Sequence, residues 1–170
     1  VELWIDADGR LKRHRFHRAL MRSAARLIYE EVQAAFDGQP NQKAQGLLIL
    51  AIRPLYAAFA ALERARKARG TLDLDLPERK VILASDGSVA AIKPRERLDS
   101  HRLIEAFMIT ANVAAAEALE AKGAPCVYRI HDRPSDEKHA ALRAYLGALG
   151  IPLAPAKTLL PKHFSGVLDR

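Results

Sequence analysis

The sequence has 170 residues, of which 49% are hydrophobic and 28% charged, a composition typical of one globular domain and not of a disordered chain. Its formal net charge of +7 favours a polyanionic partner. The longest apolar stretch, 47–62, is interrupted by Arg53 and Pro54, so we expect a kinked buried helix and no membrane partner. We expect no signal peptide. Cys126 is the only cysteine, which excludes an internal disulfide and predicts a cytoplasmic location.

The first half of the sequence predicts a β-hairpin followed by two helices. Apolar and polar side chains alternate in the opening residues, and the segment 6–9 has the composition of a turn. Pro54 is expected to bend the second helix, because proline removes a hydrogen bond from the helical ladder, and Gly70 supplies its stop signal. The predicted elements are strands at 1–5 and 10–16 and helices at 29–36 and 41–69.

The second half predicts short strands followed by two longer helices. Asp86 and Gly87 form a hairpin turn signal, Asp99 or Ser100 can cap the first helix, and Ser135 can cap the second. The predicted elements are strands at 72–76, 80–84, 88–93 and 126–130, helices at 100–122 and 135–149, and a short last helix from about 161.

This order of elements favours an α+β fold, with a mixed, mostly antiparallel sheet and packed long helices, over a doubly wound sheet. One domain is predicted over 1–170. Within it we expect a β-hairpin and basic stretch at 1–24, an α/β core at 25–150, and a linker with a short helix at 151–170.

Two pairs of aspartates are the local candidates for a metal site. Asp6 and Asp8 precede Gly9 in the predicted turn, and Asp73 and Asp75 alternate on a predicted strand, so that both face one side. Turn chemistry and a solvated strand face explain these pairs better than Mg²⁺ ligation does. We therefore predict no metal site within the chain.

Two patterns favour contact with a ligand. The segment 9–28 holds seven basic residues and no acidic one, as expected of a surface that contacts phosphates.

The helix at 100–122 is expected to be largely buried, because apolar residues wrap most of its circumference. A polar stripe on it is either a satisfied structural network or the wall of a cleft that binds a ligand. The stripe consists of His101, Glu105, Met108 and Asn112.

Four segments resemble, in order and spacing, the catalytic domain of ribonuclease II/ribonuclease R-type 3′→5′ exoribonucleases. They are 26–32 (RLIYEEV), 69–78 (RGTLDLDLPE), 97–112 (RLDSHRLIEAFMITAN) and 128–135 (YRIHDRPS). The resemblance extends from Val1 to about residue 150 and identifies the chain as an internal piece, a partial catalytic (RNB) domain.

The resemblance implies a hydrolase that removes nucleotides one at a time from the 3′ end of single-stranded RNA. It also implies that Mg²⁺ is held by aspartates upstream of Val1 and that phosphate-binding arginines lie downstream of Arg170. We therefore expect this piece to be inactive alone and to self-associate through apolar surface that flanking segments would cover. Two alternatives are a non-catalytic RNA-binding or scaffold domain of the same ancestry and an unrelated basic α+β domain.

By the same resemblance, Tyr29 matches a tyrosine at the catalytic centre, and Glu105 matches a glutamate that holds the terminal nucleotide through ribose hydroxyls. We expect these two residues to approach each other across a cleft. Leu74 stands where the family can present an aromatic ring, so base stacking from that position is not expected. The residues predicted to contact RNA are Arg22, Arg26, Arg66, Arg69, Leu74, His101 and Asn112.

Overall fold

The computed structural model describes residues 1–72, 78–94, 96–155, 163–164 and 167. The α+β class is confirmed, since these residues form helices together with two small antiparallel sheets. The strands are β1 (Glu2–Ile5), β2 (Leu11–Arg15), β3 (Arg79–Leu83) and β4 (Val89–Pro94). The helices are α1 (Tyr29–Phe36), α2 (Gln42–Gln45), α3 (Arg53–Ala68), α4 (Asp99–Glu120) and α5 (Asp136–Ala148), and a π-helical segment spans Leu48–Ile52.

The chain divides into two compact units. One comprises Val1–Ala65 and Asp75–Ala118, and the other comprises Arg66–Leu74 and Leu119–Arg170. The division of a single domain at residues 24 and 150 stays a prediction.

In the first unit, β1 and β2 form the predicted hairpin, with a register shift between Trp4 and Ile5. The turn of this hairpin rests on α3. Gly9 has a φ of +79° and lies so close to α3 that a Cβ atom would overlap the carbonyl of Ala61. Arg64 Nη2 also donates to the carbonyl oxygen of Ala7 at 2.8 Å. The hairpin is therefore fixed to α3 through its turn.

A π-helical segment precedes α3 close to Pro54, where a bend was expected. Its wider turn is seen in the bond from Ile52 N–H to the carbonyl of Leu47, five residues earlier. Pro54 follows in the first turn of α3, where its missing N–H is tolerated. The expectation of a buried kinked helix was wrong for this segment, because Ile49 and Leu50 are 65% and 82% exposed. In a π turn, side chains depart from the 3.6-residue period on which that expectation relied.

The core of the first unit lies where α1, α2, the π-helical segment, α3 and α4 meet. Phe36 of α1 stacks on Tyr56 of α3 with ring centroids 3.7 Å apart. Leu103 contributes the side chain of α4 that is most deeply buried here. The buried residues of this cluster are Ala35, Ala44, Ile52, Tyr56, Phe59 and Leu103.

The structure corrects the expected burial of α4. Ile104, Met108 and Ile109 are exposed, as is Asn112, whereas the buried positions include Ser100, Leu103 and Ala114. Apolar residues around the circumference indicate that a helix can be covered on all sides, but the described elements cover only one side of α4.

The β3–β4 hairpin is confirmed, with Val81 opposite Ile92. Its turn is held by Asp86 Oδ1, which accepts from the backbone N–H of Ser88 at 2.9 Å. The predicted strand over 72–76 falls largely on residues outside those described, and so does most of the predicted helix from 161.

In the second unit, α5 begins as predicted, with Ser135 Oγ accepting from Lys138 N–H at 3.3 Å. His139 is buried, and its Nε2 lies 3.1 Å from the carbonyl oxygen of Ala154. The predicted strand at 126–130 was wrong, since this segment forms no regular element. Val127 and Ile130 are exposed, and none of the described strands pairs with the segment.

Candidate functional site

Two aromatic rings meet at the adjoining ends of α1 and α4. Tyr29, the first residue of α1, stacks on His101 in the first turn of α4, with ring centroids 4.1 Å apart and planes inclined by 21°. His101 Nδ1 accepts from the backbone N–H of Leu98 at 3.2 Å, which anchors the imidazole to the start of the helix. Because residues four apart share a helix face, Glu105 follows His101 on the same side of α4.

The Glu105 carboxylate lies at the surface and not in an interior ion pair. Its Oε2 accepts from Arg97 Nη2 at 2.7 Å, and the glutamate side chain is 39% exposed. The structure thus stacks Tyr29 on His101, which precedes Glu105 by about one 5.4 Å helical turn along α4. The catalytic roles of Tyr29 and Glu105 stay predictions.

A glutamine that the sequence analysis missed fixes α1 to α4. Gln33 lies one turn after Tyr29, and its Oε1 accepts from the backbone N–H of Ser100 and from the Tyr56 hydroxyl, each at 3.1 Å. Its Nε2 donates to both carboxylate oxygens of Asp37 at 3.2 Å. The signal available in the sequence was a polar residue four positions after Tyr29, on a helix that must bury its other side.

The Tyr56 hydroxyl donates a hydrogen bond in this network and keeps its proton over a wide pH range. Burial, together with the nearby Asp99 and Asp37 carboxylates, raises the pKa of this hydroxyl to about 12. The hydroxyl is therefore protonated at neutral pH and can donate to Gln33 Oε1.

A polar cleft of about 420 Å³ opens beside the Tyr29–His101 pair. Arg79 and Lys80 of β3 supply positive charge to it, while Glu30 and Glu96 supply carboxylates. Such a lining suits a ligand that offers both hydrogen-bond donors and anionic groups. The full lining is Tyr29, Glu30, Glu78, Arg79, Lys80, Pro94, Glu96, Leu98 and His101.

Tyr29 also lines a second, apolar groove of about 540 Å³. Arg26 lies at this groove, and Leu55 and Ile104 are among the exposed apolar residues that form its wall. Tyr29 therefore borders both the polar cleft and the apolar groove.

The other residues predicted to contact RNA are distributed differently. Arg22 and Arg26 are exposed in the segment between β2 and α1, and Asn112 is exposed on α4. Arg66 and Arg69 belong to the second unit, and Leu74 lies outside the described residues. Their contacts with RNA stay predictions.

The aspartates considered as metal ligands are also accounted for in part. Asp6 Oδ1 accepts from the backbone N–H groups of Arg10 and Asp8 at 2.8 and 3.0 Å, so the turn interpretation is confirmed. The bond from Arg10 is the main reason that the pKa of the Asp6 carboxyl lies below its usual value. Asp73 and Asp75 lie outside the described residues. Within the described ranges, no three His, Cys, Asp or Glu side chains are grouped as metal ligands would be.

The part of the chain that the structure describes also contains no helix that is long and apolar enough to cross a membrane.

Comparison with known proteins places these features in a family. The RNB domain family matches residues 1–166. Ribonuclease R of Aquifex aeolicus is 38% identical over 170 residues, covering 99% of this chain and 24% of the relative. Ribonuclease R of Escherichia coli is 32% identical over 169 residues, covering 99% of this chain and 21% of the relative. The chain thus spans about a quarter of the length of these relatives.

The fold agrees with this assignment. Ribonuclease R of Mycoplasma genitalium, solved in complex with ribose methylated single-stranded RNA, matches with a TM-score of 0.89 at 23% identity. The match covers 98% of this chain and 26% of that one. The same protein has also been solved in its apo form and in complex with double-stranded RNA. With the family match across nearly the whole sequence, the chain belongs to the RNB domain family and is related to ribonuclease R.

Proposed function

We propose that the chain is part of a metal-dependent 3′→5′ exoribonuclease that hydrolyses single-stranded RNA to nucleotides. Its contribution is to line the RNA channel and to position the 3′ nucleotide, while the metal ligands come from outside this chain. The observation that carries the proposal is the stacking of Tyr29 on His101, one turn before Glu105 and beside an open polar cleft. The RNB family match and the RNA complexes of ribonuclease R support it.

Glu105 is suited to hold the sugar of the terminal nucleotide. Arg97 binds Oε2, and among the described residues no donor is bonded to Oε1. A carboxylate oxygen with this freedom can accept hydrogen bonds from ribose hydroxyls, which distinguish RNA from DNA. The Arg97 guanidinium holds the carboxylate in one orientation as the sugar binds.

Tyr29 is suited to contact the base or the scissile end. Its side chain is 40% exposed, so part of the ring and the hydroxyl are open to a ligand. Arg79 and Lys80, which also line the cleft, can pair with phosphate oxygens. Arg22, Arg26, Arg66, Arg69 and Asn112 would add contacts along the strand, mainly to phosphates.

The metal would neutralise charge on the phosphate and activate a water, and the resemblance indicates Mg²⁺. The described residues do not form a suitable set of carboxylates, so no step is assigned to a metal held here. We propose a cytoplasmic location for this exoribonuclease, with which the single cysteine of the sequence agrees.

The proposal can be tested with a chimera. The present chain would replace the matching segment of the Aquifex aeolicus ribonuclease R, which is 38% identical to it. We expect the chimera to release nucleotides from the 3′ end of a 5′-labelled single-stranded oligonucleotide and to stop when a chelator is added. Glu105→Gln and Tyr29→Ala should slow release, whereas Glu117→Gln, an exposed glutamate on the same helix, should not.

The isolated 170-residue chain provides the second arm of the test. With Mg²⁺ or Mn²⁺ it should bind the oligonucleotide without releasing nucleotides, because positioning and charge stabilisation act as one unit. A chimera that unfolds cooperatively and binds RNA, yet never cleaves it, would favour the non-catalytic RNA-binding or scaffold function.

A further inference from the structure

His101 is joined to Leu98 by two hydrogen bonds, one through its imidazole and one through its backbone. Leu98, which immediately precedes α4, donates its backbone N–H to His101 Nδ1 at 3.2 Å. His101 in turn donates its backbone N–H to the carbonyl oxygen of Leu98 at 3.1 Å. The bond to Nδ1 corresponds to one half of a capping box, with histidine in place of the usual Glu or Gln, while the other half is absent because Leu98 has no side-chain acceptor.

The hydrogen bond also determines which ring nitrogen carries the proton. Nδ1 accepts from Leu98, so in the neutral imidazole the proton lies on Nε2. The orientation of the ring about χ1 and χ2 is fixed by the same bond, because only one edge of the imidazole can meet the Leu98 N–H. The ring of His101 is therefore oriented by contacts within the chain itself.

Tyr29 lacks comparable support of its own. It is the first residue of α1, it follows a segment without regular structure, and it is exposed. Its one aromatic contact among the described residues is the face of His101, at 4.1 Å and 21°. Its orientation in the cleft thus depends on a ring that α4 holds in place.

We propose that His101 is a positioning residue, which orients the Tyr29 ring by stacking and does not itself need to contact RNA. This inference deepens the proposed function and rests on it for its catalytic consequence. Both stacked rings belong to this chain, so the stacking can be tested separately from cleavage.

Two substitutions separate a stacking role from direct recognition through the Nε2 proton. His101→Phe keeps an aromatic face for Tyr29 but has no N–H to offer a ligand. His101→Gln places an amide N–H near the position of Nε2 but removes the ring. If His101 positions Tyr29, phenylalanine should preserve function better than glutamine; if His101 binds RNA directly, the order should be reversed.

The first measurement uses the 170-residue chain labelled with 3-fluorotyrosine and observed by ¹⁹F NMR. The Tyr29 signal would be assigned by its loss in Tyr29→Phe. We expect its ring-current shift to persist in His101→Phe and to move toward the shift of a solvent-exposed tyrosine in His101→Gln, while the signal of Tyr145 stays in place. An unchanged Tyr29 signal in His101→Gln would overturn the inference and leave the proposed function intact.

The second measurement is kcat and KM in the chimera. Displacement of a catalytic group by about 1 Å can lower the rate by roughly 100-fold. We therefore expect His101→Gln to lower kcat on the order of 10- to 100-fold with little change in KM, and His101→Phe to lose several-fold less. Equal losses in the two variants, or a smaller loss in His101→Gln, would contradict a positioning role.

Discussion

Replacing Gln33 with alanine tests whether one side chain fixes α1 to the start of α4. The substitution removes the acceptor of two hydrogen bonds, from the Tyr56 hydroxyl and from the Ser100 backbone N–H, each 3.1 Å long. A buried donor that loses its partner costs about 1–3 kcal/mol. Ser100 is only 2% exposed, so water does not readily replace the lost acceptor. We expect the free energy of unfolding to fall by roughly 2–4 kcal/mol.

The change can be measured by urea denaturation and by thermal unfolding. For a chain of this length each kcal/mol corresponds to about 2–4 °C in Tm, so Gln33→Ala should lower Tm by roughly 4–16 °C. Gln45→Ala is the matched control, since Gln45 is an exposed glutamine on α2. The control should change the free energy of unfolding by less than about 0.5 kcal/mol.

A double-mutant cycle with Tyr56→Phe separates the two bonds. In the phenylalanine background only the Ser100 N–H loses a partner, so the effect of Gln33→Ala should be smaller by about 1 kcal/mol. If Gln33→Ala costs the same in both backgrounds, the Tyr56 bond contributes nothing to stability. If it costs nothing in either background, the anchoring role of Gln33 is refuted.

Three further predictions follow from single features of the structure. Because the pKa of Tyr56 is raised from 10.0 to about 12, its contribution to stability is complete below pH 10 and is lost as the pH rises through about 12. Tyr56→Phe should remove that alkaline decline in urea unfolding curves. Gly9→Ala should destabilise the chain by several times the roughly 1 kcal/mol expected for the control Gly87→Ala. Both glycines have a positive φ, but only at Gly9 would the added Cβ meet the carbonyl of Ala61. Equal losses of stability in the two variants would contradict the close packing of Gly9. The logarithm of the RNA-binding constant of the chain should fall linearly with the logarithm of the salt concentration. Arg22→Gln should make this slope shallower by about 0.7, and an unchanged slope would show that Arg22 does not contact phosphate.

Elements with local signals were predicted closely from the sequence. Helix α1 begins and ends as predicted at Tyr29 and Phe36, and α5 begins directly after its cap, Ser135. Capping residues and turn glycines act within four positions of the backbone groups that they satisfy, so a sequence displays both partners of the interaction. The two hairpins were predictable for the same reason.

Predictions that depended on distant neighbours failed. The apolar segment 126–130 has the composition of a strand, but a strand requires a partner that supplies its hydrogen bonds. The apolar circumference of α4 likewise indicated burial without indicating what would cover it. Ile104 and Met108 are exposed because the described elements pack on the other side of the helix.

The site was predictable only in part. Tyr29 and Glu105 came from the resemblance to a family, whereas no property of the sequence paired Gln33 with Ser100, which lies 67 residues away. Hydrophobic periodicity predicts which face of a helix is buried, but it leaves the register of that face against its neighbour undetermined. The register is fixed by hydrogen bonds such as that between Gln33 and Ser100, and no sequence pattern predicts which two distant residues will form such a bond.

The register of α1 against α4 has a consequence for the cleft. Apolar packing alone tolerates small rotations of a helix, whereas a hydrogen bond is lost when its donor turns away. Tyr29 stacks on His101, and Gln33 accepts a hydrogen bond from Ser100. Because Tyr29 and Gln33 lie one helical turn apart on α1, the two contacts together oppose both sliding and rotation of this helix. Gln33 also accepts from the buried Tyr56 hydroxyl, which joins the orientation of the exposed Tyr29 ring to the core. Loss of that hydroxyl should therefore loosen Tyr29 in the cleft, although Tyr56 itself is buried and only 5% exposed.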